Sequence, residues 1–312
     1  MRALSAIWFA LLLGSGLARA DQGLLYREAN LAALFSWQGR LDSWPRPPLS
    51  GVGFEYFWKA PGVTPGELRP EVLDLHLQLA YDPAENRPAA RARDAWVRFA
   101  ESRSGLQVRL GHFDLPFGFN PSLALRGEAL QPLVAMDLGF VQDWGLAAEG
   151  EWGGFSYEAA ATLGSGDVPR LRRDRHLWAG RLGMPTYRSA QYGVSLLYGS
   201  TAGGRAWRMG ADGVYLYHEP FTTLRGEVVL GADDRVPVGG LLLGLTQILP
   251  ARPQWGLEAQ ARLWQAGTTR AELAAGLLRS LPGLLTLRLH WLYRSAALGG
   301  NGIFAQLYYY GP

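Results

Sequence analysis

Apolar and polar residues alternate one by one through residues 72 to 82, VLDLHLQLAYD. Leu73, Leu75, Leu77, Leu79 and Tyr81 therefore share one face, and Asp74, His76, Gln78 and Ala80 share the other. Wound as a helix, Leu73 and Leu75 would stand about 200° apart and leave no apolar stripe. The segment is expected as a strand with one oily side.

The same period of two returns at residues 255 to 264, where Trp255, Leu257, Ala259, Ala261 and Leu263 alternate with Gly256, Glu258, Gln260, Arg262 and Trp264. It returns again at residues 285 to 294, with Leu285, Leu287, Leu289, Trp291 and Tyr293 against Thr286, Arg288, His290, Leu292 and Arg294. Weaker copies fall at 30–40, 51–60, 92–102, 105–114, 142–152, 155–164, 177–184, 191–199, 206–217, 222–231, 238–248, 270–279 and 302–310. About sixteen strands are expected, with fourteen or eighteen also compatible with the pattern. Pro61, Pro185, Pro237, Pro253 and Pro282 are read as turn markers between them. No linker or charge block divides residues 21–312, which read as one unit.

Segments of about nine to eleven residues, tilted, match the hydrocarbon thickness of a bilayer. After residue 20 no run approaches the roughly 18 apolar residues that a membrane helix needs. Backbone groups in lipid find no water, so every strand must be paired and the sheet must close on itself. The fold class expected is all-β, a transmembrane antiparallel up-and-down barrel. Arg or Lys on the lipid face near the midplane costs roughly 2–4 kcal/mol, so the apolar row is placed outward. Glu55, Asp74, Arg98, Arg109, Glu149, Glu158, Arg181, Asp212, Arg225, Glu227, Glu258, Arg262, Glu272 and Arg288 then point inward. Sixteen strands at about 4.8 Å spacing and about 40° tilt give a backbone diameter near roughly 32 Å, too wide for wall side chains to fill. The interior is expected to be an aqueous channel narrowed by loops, or to hold another protein.

Composition agrees. The 12 Trp, 13 Tyr and 12 Phe are rings suited to a membrane–water boundary, apolar at one end and wet at the other. Residues 1–20 read as a signal peptide, with Arg2, the apolar stretch Ile7 to Leu13 and the Ala18-Arg19-Ala20 cleavage pattern. Removing Arg2 and Arg19 from the 30 basic residues leaves 28 against 27 acidic ones, a net charge of +1. Arginines scattered among acids do not form a nucleic-acid surface. The absence of cysteine removes disulfides, thiolate catalysis and C-x-x-C-H haem attachment. His76, His112, His176, His218 and His290 stand singly, and no hydrolase, Walker or dinucleotide motif occurs in the exported part, so no catalytic, cofactor or metal site is expected.

Two segments stand outside the alternation. Leu115 to Phe140 carries Pro116, Gly118, Pro121, Gly127, Pro132 and Gly139, and Ser122 is placed to cap a short helix running into Arg126. This segment is expected to fold into the lumen as a constriction, with Arg126, Glu128 and Asp137 as gate charges; an external loop with a short helix is the other reading. Arg170, Arg172, Arg173 and Arg175 cluster in the turn before Leu177, where guanidinium groups would meet lipopolysaccharide phosphates or anionic solutes. The last strand, Ile303 to Tyr310, ends in aromatics as barrels of this class do.

Gly111-His112-Phe113-Asp114-Leu115-Pro116-Phe117-Gly118, after a strand carrying Arg109, resembles the G-x-x-x-x-P-F-G stretch of the phosphate-selective porin-like family, and Asp143-Trp144-Gly145 looks like a strand start in similar barrels. The resemblance implies a sixteen-stranded, often trimeric, diffusion channel of the bacterial outer membrane, in contact with outer-membrane lipid and lipopolysaccharide and passing small solutes. The single lysine, Lys59, and the acids that dilute the inward arginines weigh against anion selectivity. The pore-lining candidates are Asp74, Arg98, Arg109, Arg126, Glu128, Glu149, Arg181, Arg225, Glu258, Arg262 and Arg288. The alternative is a barrel sheath around a periplasmic or multihaem cytochrome. An outer-membrane enzyme has no local motif in its favour.

Overall fold

The computed structural model describes residues 23–37, 41–43, 50–59, 69–82, 87–100, 105–119, 130, 132–135, 138–185, 187–201, 203–217, 221–295 and 301–312. Its strands are β1 (Gly23–Ser36), β2 (Leu41–Ser43), β3 (Gly51–Lys59), β4 (Arg69–Asp82), β5 (Arg87–Ala100), β6 (Gln107–Asp114), β7 (Gln142–Trp152), β8 (Phe155–Thr162) and β9 (His176–Gly183). They continue as β10 (Ala190–Thr201), β11 (Gly204–Tyr217), β12 (Thr222–Asp233), β13 (Val236–Leu249), β14 (Arg252–Ala266), β15 (Thr268–Leu281), β16 (Leu285–Arg294) and β17 (Gly302–Gly311). From β3 onward each strand pairs antiparallel with the next, and β1 closes the ring by pairing with β17 on one side and β3 on the other. The three-residue β2 pairs with β1 on the same edge as β3, Ala33 opposite Ser43 and Ala29 opposite Val52. It is the detached upper end of one stave, so the cylinder has sixteen.

The alternation located the strands to within a few residues, with two corrections. The first begins at Gly23 rather than near residue 30. Pro237 and Pro253 are not turn residues: each is the second residue of its strand, β13 and β14. Proline is tolerated there because a strand's first residues need not donate to a ladder. Pro185 and Pro282 do lie in connections, while Pro61 falls outside the described residues.

Along β4, Leu75 and Leu77 are 39% and 49% exposed on the outside, whereas Asp74, His76 and Gln78 face inward at 7%, 0% and 5%. The same division runs round the cylinder, through Val194 and Leu196, Leu241 and Leu243, Leu257 and Leu263, and Leu287 and Leu289, all exposed outward. A soluble monomer rarely exposes an apolar patch beyond a few hundred Å². An encircling apolar surface is at rest in lipid.

Let the lower end be the one where Gly23 and Gly311 lie, the upper the one reached by the 115–141 connection. Exposed aromatics gather near both ends: Phe35, Tyr81, Trp178, Tyr198 and Trp207 above, and Trp152, Phe155, Tyr192, Tyr215 and Tyr217 below. Trp207 and Tyr215, eight residues apart on β11, are separated by about 20 Å along the barrel axis at about 3.3 Å rise and about 40° tilt. That fits an apolar band flanked by aromatic girdles.

Candidate functional site

The 115–141 connection enters the barrel. Leu115, Phe117, Phe119, Leu133 and Leu138 are all fully buried, packed against Phe113, Leu177, Leu197, Val229, Leu242 and Trp264 of the inner wall. Leu133–Ala135 forms one turn of 3-10 helix. Further round, Leu130 packs with Leu34, Leu292 and Phe304 of β1, β16 and β17. The constriction reading of this segment thus describes where its described part lies, and the external-loop reading does not.

Polar groups of the wall satisfy its backbone. The N–H of Gly118 donates to Ser195 Oγ at 3.0 Å, and that of Leu130 to Gln260 Oε1 at 2.8 Å. Glu227, 1% exposed, accepts the N–H of Phe119 at 3.2 Å on Oε1 and that of Leu133 at 2.8 Å on Oε2. Arg208 Nε donates to the carbonyl of Leu138 at 2.9 Å. In a water-poor interior such groups must be paired or lose about 1–3 kcal/mol each. Two glycines leave room for the insert: a Cβ at Gly240 would meet Leu138 Cδ1 at 2.6 Å and Leu133 Cδ2 at 3.0 Å, and one at Gly210 would meet Phe117 Cζ at 3.1 Å.

The described part of the insert packs mainly on β9–β14, with Leu130 against β1, β16 and β17, and a cavity of about 840 Å³ lies along β4–β9. Asp74, Arg98, Arg109, Glu149 and Arg181, all candidates from sequence, line it. They form a charge ladder across the strands. Arg98 reaches Glu149 at 3.4 Å, Arg109 bridges Glu149 at 2.5 Å and Glu158 at 2.6 Å, and Arg181 clasps Asp212 with Nε and Nη2 at 3.0 and 2.5 Å. The Arg109 guanidinium also lies over the rings of Trp96 and Phe113, at 5.3 and 5.2 Å.

The remaining candidates face inward elsewhere on the wall. Arg288 Nε donates to Glu258 at 3.2 Å, which also meets His290 at 2.9 Å; Arg262 pairs with Glu272; Arg225 donates to Thr246 Oγ1 at 3.2 Å. None of Arg225, Glu258, Arg262 and Arg288 is brought to the β4–β9 cavity. Arg126, Glu128 and Asp137 lie outside the described residues, as does the capped helix placed at Ser122. His76 meets Glu28 at 2.9 Å in the wall. Among the described residues no group of three or more His, Cys, Asp or Glu is placed to hold a metal.

Sequence reasoning missed Asp94, Trp96, Asp114 and Glu151, which also line the cavity. Asp94 and Trp96 share the alternation of the inward Arg98 and were passed over, and it is Arg91 that a bulge hides. Asp94 pairs with His76 and Ala92 with Leu77, so Arg93 is an extra residue that resets the alternation, and Arg91, opposite Gln78, shares the inward face with Asp94. The bulged carbonyl of Arg93 accepts His112 Nδ1 at 3.0 Å and Gln142 Nε2 at 2.7 Å, close to where the insert departs.

Asp143, 1% exposed, ties the upper rim. Its Oδ1 accepts the N–H groups of Trp144, Ser165 and Gly166 at 2.9, 3.1 and 2.9 Å, and its Oδ2 accepts Thr162 Oγ1 at 2.6 Å and Gly164 N–H at 2.5 Å. The Trp144 indole donates to the carbonyl of Asp167 at 3.0 Å and packs on His112 with ring centroids 5.2 Å apart. The Asp143-Trp144-Gly145 stretch is thus the lock on the β8–β9 connection, which carries Arg170, Arg172 and Arg173 exposed at the rim and Arg175 half-buried.

No family model and no curated relative matches the chain. Solved structures share its fold. The anion-selective porin from Comamonas acidovorans is 13% identical, covering 93% of this chain and 99% of its own, with TM-score 0.62. OmpF of Salmonella typhi, solved with daunomycin, is 9% identical over 95% and 99%, with TM-score 0.70. OprB of Pseudomonas putida at high pH is 10% identical over 93% and 94%, with TM-score 0.64. The chain has the porin barrel fold. The likeness of Gly111–Gly118 to the phosphate-selective porin-like family rests on those residues.

Proposed function

We propose that the protein is an outer-membrane channel for passive diffusion of small polar or charged solutes. One observation carries the reading: described residues of the 115–141 segment fold into the barrel, and a charged cavity of about 840 Å³ lies along β4–β9. A lumen of that kind holds ordered water and passes hydrated solutes while retarding apolar and bulky ones. Residues 1–20 serve as an export leader, and the upper end, with the longest connections, faces the exterior, since barrels of this class keep short turns on the periplasmic side. The arginines at 170, 172, 173 and 175 then meet lipopolysaccharide phosphates or draw in solutes. Assembly as a homotrimer follows from the sequence resemblance. The sheath reading loses ground because part of the interior that a cytochrome would need is taken up by Leu115, Phe117, Phe119, Leu130, Leu133 and Leu138 of the same chain.

Reconstitution into liposomes tests the channel. Efflux of small sugars and salts, with retention of a large dextran, is the result expected. Sealed vesicles containing correctly folded, heat-modifiable barrel would overturn the reading.

A further inference from the structure

We infer that the passage along β4–β9 prefers cations, so that the solutes it favours are small and positively charged. The inference rests on the channel reading above. It begins with the lining of the cavity, which holds three arginines, Arg98, Arg109 and Arg181, against six carboxylates. The arginines are already engaged. Arg98 and Arg109 are held by Glu149 and Glu158, and Arg181 is taken by Asp212, which stands outside the lining. A guanidinium clasped at 2.5 Å by a carboxylate presents little field to a passing anion.

Four further carboxylates stand on the same wall: Asp74, Asp94, Asp114 and Glu151. His76 Nδ1 stands 3.9 Å from Asp94, Arg91 shares Asp94's inward face, and Arg93 lies beside Asp114. With Arg91 and Arg93 counted, the six lining carboxylates still outnumber five arginines. Glu151, exposed at the lower mouth, makes no ion pair among the described residues. A narrow lumen between low-dielectric walls focuses such a field and raises the local concentration of the opposite ion.

The two chemistries of pore wall therefore differ in consequence. Counting inward arginines alone points to an anion channel; following their partners points to the opposite. The comparison with an anion-selective porin fold does not bear on this choice, because selectivity belongs to the lining and not to the barrel.

The test is the reversal potential of the purified full-length protein in a planar bilayer under a potassium chloride gradient. A potassium-to-chloride permeability ratio of about 3 or more at low salt is expected, fading as salt approaches about 1 M, where the Debye length is near 3 Å. The double variant Asp74→Asn with Glu151→Gln should lower that ratio by about half while leaving conductance steps in place. A ratio at or below unity in the wild type, with clear conductance, overturns the cation inference and leaves the channel standing. No conductance from folded barrel overturns both.

Discussion

Glu227 Oε2 accepts the backbone N–H of Leu133 at 2.8 Å across 94 residues of chain, while its Oε1 takes the N–H of Phe119. A wall carboxylate from β12 thereby grips the insert at two points, Phe119 and Leu133. Intramolecular hydrogen bonds contribute about 0.5–1.5 kcal/mol each, and a buried donor left without its acceptor costs about 1–3 kcal/mol. The grip is what makes the insert part of the wall rather than a loop hanging in the channel.

Removing the grip should widen the pore. In Glu227→Ala two buried N–H groups lose their acceptor, and the insert is expected to leave the β10–β14 wall part of the time. Single-channel records should show larger and noisier steps than wild type, with barrel assembly on gels unchanged.

Filling the space beneath the insert should act the same way by a different route. Gly240→Leu places a side chain where Leu133 and Leu138 now pack, an overpacking expected to cost about 1–3 kcal/mol. The measurable result is a lower thermal unfolding temperature together with raised conductance. An unchanged pair of values would show that the insert does not rest on β13.

The rim lock has its own readout. Asp143→Ala removes the acceptor for Ser165, Gly166, Thr162 and Gly164, so the β8–β9 connection should loosen. Brief trypsin treatment is expected to cut after Arg170, Arg172, Arg173 or Arg175 much faster in the variant, with the barrel itself resistant.

The two-residue rhythm made the barrel legible because each stave faces two solvents, and VLDLHLQLAYD states both in eleven letters. It also placed Asp74, Arg98, Arg109, Glu149 and Arg181 on the inward side, where they line one cavity. What the rhythm could not carry was tertiary. Arg93 enters β5 as an extra residue, and from a sequence the shift that brings Arg91 and Asp94 to one face reads as broken alternation. Nor does periodicity show that Arg225, Glu258, Arg262 and Arg288 belong to walls away from that cavity; this depends on where the insert lies. Phe117, Phe119 and Leu133 reveal the insert only through partners such as Val229 and Trp264, far along the chain.

The outward row supports a further expectation. Leu77, paired with Phe54 and Ala92 on the lipid face, lies near mid-strand, so Leu77→Arg should lower folding stability in bilayers by about 2–4 kcal/mol. Urea titration in lipid vesicles measures it, and a shift near zero would contradict the placing of that face in lipid.

The central claim is that solutes run along β4–β9 and not along β10–β14. Since the chain contains no cysteine, two serine-to-cysteine variants put it to a direct measurement. Ser156 lines the open cavity, whereas Ser195 is buried under the insert against Gly118 N–H. Adding a small water-soluble thiol reagent during single-channel recording should cut the current through Ser156→Cys and leave that through Ser195→Cys unaltered. Block of the Ser195 variant with the Ser156 variant untouched would contradict the account.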